Sequence, residues 1–366
     1  ALGMSTLQVG ILATSTLLGS AAATIAVGLY GHRLDSRRLL IAAALLMAAT
    51  GVCFAGFSSF WPLLVVAFVG TLNPSAGDVS VFLPLEHARL ASAASGAART
   101  ALFARYSLAG ALFAALGALA AGVPEALVRH GVSELAAFRS MFLLYACAGL
   151  LVWWLYRAAG ERGAPAAAAA QPAAPLGASR GMVWRLALLF SVDAFAGGLV
   201  VNALLSLWLL QRFGLSLAQA GAFFFWAGLL SALSQLAAPV LARRIGLLNT
   251  MVFTHIPSSV CLILAAVAPS LPVALGLLLV RSLLSQMDVP TRSAYVMAVV
   301  TPPERPAAAS VTAVPRSLAA AVGPALAGAL FAAGWISAPL VACGALKIAY
   351  DLALWRGFRK NLLNDE

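Results

Sequence analysis

Long apolar runs constrain this chain more strongly than any other feature of its sequence. Eleven such segments follow one another along the 366 residues, with short connections between most of them. A helix needs about 20 residues to cross the ~30 Å hydrocarbon core of a bilayer, and most of these runs are that long. The pattern therefore predicts an all-α integral membrane protein. The segments are approximately residues 7–31, 38–58, 61–83, 100–121, 138–157, 184–211, 217–241, 247–269, 271–297, 306–333 and 336–355.

The composition agrees with a membrane protein and argues against other classes. Hydrophobic residues make up 62% of the chain and charged residues 10%, too few charges to cover a water-facing surface. The net charge of +11 would suit a nucleic-acid binder, but the arginines are neither clustered in one block nor interleaved with exposed aromatics, so no nucleic-acid partner is expected. The four cysteines stand far apart in apolar runs, which predicts small buried hydrophobes rather than metal ligands or disulfides. They are Cys53, Cys147, Cys261 and Cys343.

The placement of the basic residues indicates the orientation in the membrane, because cytoplasmic loops carry an excess of Lys and Arg. Only Arg129, Arg139 and Arg212 fall on one side of the predicted spans. The opposite side is therefore predicted to be cytoplasmic, together with the C-terminus, and Ala1 to lie outside. The basic residues on that side are Arg33, Arg37, Arg38, Arg89, Arg157, Arg162, Arg180, Arg185, Arg243, Arg244, Arg305, Arg356, Arg359 and Lys360.

An internal repeat relates the two halves of the chain. RYSLAGALFAALGALAAG begins at Arg105, and RSLAAAVGPALAGALFAAG begins 211 positions later at Arg316. The pairs Arg37–Arg38 and Arg243–Arg244 also correspond, each before a new apolar run. Two halves of similar plan predict a pseudo-twofold axis along the membrane normal.

The repeat also predicts the domain boundaries. Residues 1–158 form the first half-bundle (helices 2–6) and residues 182–366 the second (helices 7–12). Between them, residues 159–181 are rich in Ala, Pro and Gly without apolar periodicity, which is typical of a flexible linker. Because the partner of the first helix after the linker would begin before Ala1, we expect eleven of twelve transmembrane helices in this sequence.

Two six-helix halves, a cytoplasmic linker and a basic loop after the second helix resemble the major facilitator superfamily. That family's loop reads roughly G-x-x-x-D-R-x-G-R-R, and Gly31 to Arg38 (GHRLDSRR) keeps the Gly, the Asp and the paired Arg. Drug-exporting members carry a Gly-Pro-rich element in their fifth helix. A similar element, Gly323-Pro324 with Gly328, stands here in the eleventh helix. The resemblance implies alternating-access transport, with export and import both open.

Charged residues inside apolar segments are the candidate functional residues, since each costs at least ~2.5 kcal/mol near the helix centre unless paired or hydrated. Counting from the helix ends places Asp193 about 13 Å and Arg281 about 15 Å deep, both near the midplane. The resemblance implies that their helices line a central cavity. We predict a proton and substrate pathway formed by Asp193, Arg281, Asp288 and Arg292, with Arg281 as the cation that competes with the proton for Asp193. The alternative for Asp193 and Arg281 is a purely structural ion-pairing role.

A second set of charges is predicted to form a cytoplasmic gate. Asp78 and Asp288 are repeat mates that we expect to neutralise the basic loops and Arg105 or Arg316. Asp35 and the paired arginines would complete an ion-pair latch; solvated loop charges are the alternative. The predicted gate residues are Asp35, Arg37, Arg38, Asp78, Arg105, Arg243, Arg244 and Arg316.

Three further residues have simpler interpretations. Lys347 and Asp351 stand four residues apart in the last segment, which predicts an intrahelical ion pair. His255 is isolated in its segment, which favours a hydrogen-bonded structural histidine over a proton relay.

The sequence therefore predicts a secondary active transporter of a small solute, proton-coupled, with drug or metabolite efflux one possibility. The alternatives are an importer of a small organic anion anchored by Arg281, and a non-transporting receptor or scaffold. No HExxH, GxSxG, P-loop or Cys/His metal spacing is present, so no enzyme activity, cofactor or metal is expected. We expect the partners to be the solute, a proton and the lipid bilayer, and a monomer in the bacterial inner membrane.

Overall fold

The computed structural model of this protein is built from α-helices. The structure describes residues 2–30, 35–72, 82, 86, 96–158, 176, 177, 179–301 and 304–359. Within these ranges there is no β-strand. A membrane leaves no water to satisfy backbone polar groups, so a spanning segment without a closed barrel must satisfy them within its own helix.

The helices fall into two compact units. The first comprises Ala1–Ala169 with Ser216–Gly221, and the second Ala170–Leu215 with Ala222–Glu366. In the first part of the chain the helices are α1 Thr6–Tyr30, α2 Ser36–Gly56, α3 Phe60–Val69, α4 Gly96–Ala120, α5 Val123–Arg129 and α6 Glu134–Ala158. They are followed by α7 Arg180–Gly198, α8 Asn202–Phe213, α9 Leu217–Ile245, α10 Leu247–Ala266, α11 Leu271–Leu284, α12 Asp288–Ala298, α13 Arg305–Ala332 and α14 Ala338–Phe358.

Ten stretches of the described chain are long and apolar enough to cross a membrane. Large hydrophobic side chains face outward along them; Phe113 is 74% exposed and Leu188 is 69% exposed. Lipid is as apolar as these side chains, so exposing them costs nothing in a bilayer. The all-helical integral membrane fold predicted from the apolar runs is confirmed.

Two details differ from the sequence prediction. The run predicted at 61–83 appears as the short helix α3, and residues 73–81 lie outside the described ranges. All four cysteines are free, but only Cys343 is buried and Cys147 is exposed. In a membrane bundle a small apolar residue is as stable against lipid as against protein, so an apolar run does not predict burial.

In the first unit, α2 packs along α6 with their backbones close together. A Cβ atom at Gly51 would lie 2.6 Å from the carbonyl oxygen of Phe142, and one at Gly149 would lie 2.7 Å from the backbone nitrogen of Ala48. Small residues at such contacts allow membrane helices to approach each other closely.

The second unit contains two helix contacts of the same kind, each made close by glycine. On α7, a Cβ atom at Gly198 would lie 2.2 Å from the carbonyl oxygen of Ala320 on α13, and Gly323 faces Gly198 equally closely. On α14, a Cβ atom at Gly344 would lie 2.8 Å from the carbonyl oxygen of Ser259 on α10. These contacts fix α7 against α13 and α10 against α14.

Two spans of the second unit are interrupted. Residues 199–201 separate α7 from α8, and residues 285–287 separate α11 from α12. On one continuous helix Asp288 would lie seven residues, about two turns, beyond Arg281. Asp288 instead occupies the first turn of α12, where the helix dipole favours a negative charge.

Candidate functional site

A buried charge network lies inside the second unit. Its six members come from four helices and are Asp193 (α7), His255 (α10), Asp288 and Arg292 (α12), and Lys347 and Asp351 (α14). Asp193 is at its centre and is 3% exposed. One carboxylate oxygen, Oδ1, lies 2.6 Å from Nζ of Lys347, and the other, Oδ2, lies 3.2 Å from a guanidinium nitrogen of Arg292.

His255 extends the network toward Asp351. Its Nδ1 lies 3.0 and 3.1 Å from the two carboxylate oxygens of Asp351. Its Nε2 lies 3.3 Å from Nζ of Lys347 and 3.8 Å from Oδ1 of Asp193. The imidazole therefore bridges two carboxylates and an ammonium group in one buried cluster.

Arg292 connects Asp193 to the third carboxylate of the network, Asp288. Its guanidinium donates to Asp288 one helical turn earlier as well as to Asp193. The guanidinium carbon also lies 5.5 Å from the ring centre of Phe190, within range of a cation–π contact. Tyr350 packs edge-on against both Phe190 and His255, so aromatic rings wall one side of the network.

The charges of the network do not balance. Among its six members, three carboxylates face two permanent cations, Lys347 and Arg292, so with all three carboxylates ionised and His255 neutral one negative charge is in excess. Arg316 on α13 is exposed; Arg292 repels it, and Asp193 and Asp288 attract it from beyond ion-pair distance. It has no hydrogen bond or ion pair with any residue in the described ranges. One proton would bring the buried network to neutrality.

The structure corrects two pairings predicted from the sequence. The cations of Asp193 are Lys347 and Arg292, not Arg281, whose electrostatic neighbours are the thiols of Cys261 and Cys343. Lys347 and Asp351 do not pair along their helix, because Lys347 reaches Asp193 on α7 and Asp351 reaches His255 on α10. His255 is hydrogen-bonded as predicted, but it is not isolated.

Arg281 is half-buried on α11. Within the part of the chain that the structure describes, its side chain forms no ion pair and no hydrogen bond. The thiols of Cys261 and Cys343 are its electrostatic neighbours.

The predicted gate residues differ in their contacts within their own units. Asp35 caps the N-terminus of α2 and accepts from the backbone N–H of Arg37 at 3.0 Å. The guanidinium of Arg37 donates to the carbonyl oxygens of Tyr156 and Arg157 at the C-terminal end of α6, at 3.2 and 2.9 Å. Asp288 pairs with Arg292 rather than with Arg316. Asp78 lies outside the described residues. The side chains of Arg38, Arg105, Arg243, Arg244 and Arg316 are exposed.

Glu304, which the sequence did not single out, joins two segments of the second unit. Its carboxylate accepts from the backbone N–H of Gly177 at 2.5 Å and from the hydroxyls of Ser179 and Thr301 at 2.7 and 2.8 Å. These hydrogen bonds lower the pKa of the Glu304 carboxyl to about 2, and the bond from Ser179 has the largest effect. The carboxylate therefore ties the segment that leads into α7 to the start of α13.

In the first unit, the carboxylate of Glu86 accepts from the hydroxyls of Tyr106 and Tyr156. Within the described ranges, no group of three or more His, Cys, Asp or Glu residues is arranged to hold a metal ion. The acidic side chains of the network are already engaged by basic ones.

A polytopic helical protein with interrupted spans and membrane-embedded ionisable residues has the construction of a secondary transporter. Its family follows from comparison. The chain belongs to the Major Facilitator Superfamily, whose family model matches residues 1–287 and 186–361. It is a membrane transporter, and the resemblance drawn from the Gly31–Arg38 loop is confirmed.

Individual relatives are distant. The chain is 24% identical over 388 residues to the uncharacterized membrane protein YJR124C of Saccharomyces cerevisiae, covering 97% of this chain and 87% of that one. A bacterial homologue of the human lysosomal transporter Spinster superposes with a TM-score of 0.77 at 16% identity, over 98% of this chain and 91% of that one. The human organic anion transporter MFSD10 superposes with a TM-score of 0.61 at 21% identity, over 95% and 83%. At these identities the structures establish the fold alone.

Proposed function

We propose that this protein is a proton-coupled secondary transporter that moves a small solute by alternating access. The observation that carries the proposal is the buried charge network, which is one positive charge short of neutrality. A net charge deep in a membrane protein costs at least ~2.5 kcal/mol unless it is compensated, so the network is built to gain and lose one proton.

The position of the network supports coupling. It joins α7 and α12, which belong to the two interrupted spans, to α10 and α14. A change in the partner of Asp193 therefore acts on four helices at once. A proton taken up from one side and released to the other would couple that rearrangement to the pH gradient.

The solute is proposed to be small and largely apolar or amphipathic, with efflux as the direction. The protein would act as a monomer in the bacterial inner membrane with its C-terminus in the cytoplasm, the orientation that the Arg-rich loops favour.

A second candidate function is import of a small organic anion anchored by Arg281. Its half-buried guanidinium has no ion pair among the described residues. The MFSD10 neighbour is described as an organic anion transporter. In this alternative the network serves only to stabilise the second unit.

Transport by purified protein in proteoliposomes separates these proposals. We would measure accumulation of ethidium, hippurate and uridine under an imposed pH gradient, under a sodium gradient, and after nigericin collapses the pH gradient. Proton coupling predicts accumulation of at least one probe that requires the pH gradient and is abolished by nigericin. Accumulation driven by sodium instead would contradict it.

Variants divide the two candidates further. The anion importer predicts that hippurate is the probe that moves and that its uptake does not depend on the pH gradient. It also predicts that Arg281→Gln abolishes hippurate binding. Retention of full proton-driven accumulation by Asp193→Asn would remove the network from the coupling mechanism.

A further inference from the structure

The hydrogen-bond partners of His255 determine which of its nitrogens carries a proton. Nδ1 faces both oxygens of Asp351 at 3.0 and 3.1 Å. With Asp351 ionised, its carboxylate has no hydrogen to give, so Nδ1 is the donor. We assign the tautomer from these partners.

Nε2 has the opposite role. It lies 3.3 Å from Nζ of Lys347, and an ammonium group can only donate. Nε2 must therefore present its lone pair. The geometry fits a neutral imidazole with its hydrogen on Nδ1, a protonated Lys347 and three ionised aspartates, which is the network without its extra proton.

Adding that proton upsets one contact only. On Nε2 it would place an N–H group and the ammonium of Lys347 face to face at 3.3 Å, two donors of like charge. The nearest acceptor for the new N–H is Oδ1 of Asp193 at 3.8 Å, the same atom that Lys347 now occupies at 2.6 Å. His255 and Lys347 then compete for one oxygen.

Protonation of Asp351 leads to the same conflict. Its new hydroxyl would donate to Nδ1, which would move the imidazole hydrogen to Nε2, again facing Lys347. Either route ends with a hydrogen on Nε2. Histidine is also the side chain whose charge ordinarily changes between about pH 5 and 8.

We propose that Nε2 of His255 is the proton-binding atom of the network, and that its protonation transfers Oδ1 of Asp193 from Lys347 to His255. This inference rests on the proposed proton coupling and specifies its site. The step forms one N–H bond from a lone pair and an aqueous proton. It takes the network from an excess of one negative charge to neutrality and releases the ammonium of Lys347 from α7.

The charged and titratable groups around His255 are compatible with this switch. From α14 come Asp351, Lys347 and the hydroxyl-bearing ring of Tyr350; from α7 comes Asp193. Behind Asp193, α12 contributes the Arg292–Asp288 pair, and Arg316 of α13 lies at the margin beside Arg292. On α11, Arg281 has Cys261 and Cys343 as neighbours instead. Among the residues that the structure describes, Lys347 alone donates to Nε2, so Lys347 is the group that is displaced.

Nitrogen NMR on the protein in lipid nanodiscs tests the assignment without any transport measurement. The chain has four histidines, and a variant with His32, His87 and His130 changed to Gln leaves His255 as the only one. It has two lysines, Lys347 and Lys360, so Lys360 is an internal control for the lysine signal.

We expect the high-pH spectrum to show the Nδ1–H tautomer and the low-pH spectrum to show a doubly protonated ring. The Lys347 signal should shift with the same midpoint, while Lys360 does not follow it. An Nε2–H tautomer at high pH would overturn the inference. So would an imidazole that stays neutral down to the acid limit of folding, or a Lys347 signal that ignores the transition.

Transport of His255→Asn then distinguishes failure of the site from failure of the function. Asparagine keeps an amide donor toward Asp351 but takes up no proton. Wild-type transport should change about tenfold per pH unit on the limb where this proton is lost, and that limb should be absent from His255→Asn. If wild type transports with the pH gradient and the variant keeps the same pH profile, the site is wrong and the function stands. If wild type shows no dependence on the pH gradient, the proposed function fails whatever the NMR result.

Discussion

Lys347 on α14 places its ammonium nitrogen 2.6 Å from Oδ1 of Asp193 on α7, although 154 residues separate the two in sequence. The contact closes the buried network at the point where the helix of Asp193 meets the last helix of the chain. Both side chains are largely buried, with 13% and 4% of their surfaces exposed. Each charge therefore depends on the other for its solvation.

We expect removal of one charge to be worse than removal of both. Asp193→Asn leaves Lys347 buried without a counter-charge, which costs about 3–5 kcal/mol of stability. In Asp193→Asn/Lys347→Met no ammonium remains, and Arg292 keeps Asp288, so much of the loss should be recovered. The thermal midpoint and the monodisperse fraction after detergent extraction measure this. Arg243→Gln, which removes an exposed cation from the last turn of α9, should change stability by no more than about 0.5 kcal/mol. A double variant as unstable as the Asp193→Asn single would show that the two charges are not coupled.

Adjacent glycines on α7 should differ sharply in their tolerance of a methyl group. Gly198→Ala would place a Cβ atom 2.2 Å from the carbonyl oxygen of Ala320, so α7 and α13 would have to separate. The nearest atom to a Cβ at Gly197 is Nζ of Lys347 at 3.9 Å, an ordinary contact. We expect Gly198→Ala to lower stability by about 1–3 kcal/mol, as overpacking does, and Gly197→Ala to fold like wild type. Equal thermal midpoints for the two variants would contradict the close packing.

The fold could be predicted from the sequence to a large extent, and the pairings of the site could not. The length and apolarity of a segment predict a membrane helix, because a backbone inside the bilayer must form its hydrogen bonds internally. Asp193 and Arg292 could be identified as candidate functional residues because a charge inside an apolar run is costly unless it is paired or hydrated. Helical periodicity, however, gives a side chain's direction only around its own axis. It says nothing about which helix lies opposite, which is why Asp193 was paired with Arg281.

The break at residues 285–287, inside the apolar run predicted at 271–297, was also not anticipated. Its signal in the sequence is Pro290, which has no N–H to donate to the carbonyl of Gln286, as a continuous helix would require. For the pairing, a better signal existed in Lys347, which is one of only two lysines in the chain and the one that stands inside an apolar segment. A lone ammonium at that place requires an acidic partner on another helix.

Glu304 should make stability depend on pH below about 5. Its pKa is lowered from an ordinary 4.5 to about 2 by hydrogen bonds from Ser179, Gly177 and Thr301. Because the folded-state pKa lies below the unfolded one, the stabilisation is complete above the unfolded value and is lost as pH falls toward the folded value. Glu304→Gln lacks the charge at every pH. The difference in thermal midpoint between wild type and Glu304→Gln should therefore be largest at pH 6 to 7 and shrink steadily toward pH 3. A difference that stays constant over this range would mean that the carboxylate is not held ionised by these contacts.

Asp35 tests the predicted gate, because its two roles can be separated by substitution. As the N-cap of α2 it accepts from the N–H of Arg37, and asparagine caps a helix about as well as aspartate. Asp35→Asn therefore keeps the cap and removes only the charge, whereas Asp35→Ala removes both and should cost about 1 kcal/mol of stability. If the charge belongs to an ion-pair latch, Asp35→Asn should shift the labelling of engineered cysteines toward the inward-open pattern and slow turnover, with expression unchanged. Arg38→Gln, a change of one exposed charge in the same turn, should act in the same direction if the whole loop forms the latch. Unchanged labelling and unchanged turnover in Asp35→Asn would reduce Asp35 to a helix cap, and would leave Arg37, through its bonds to the end of α6, as a purely structural residue.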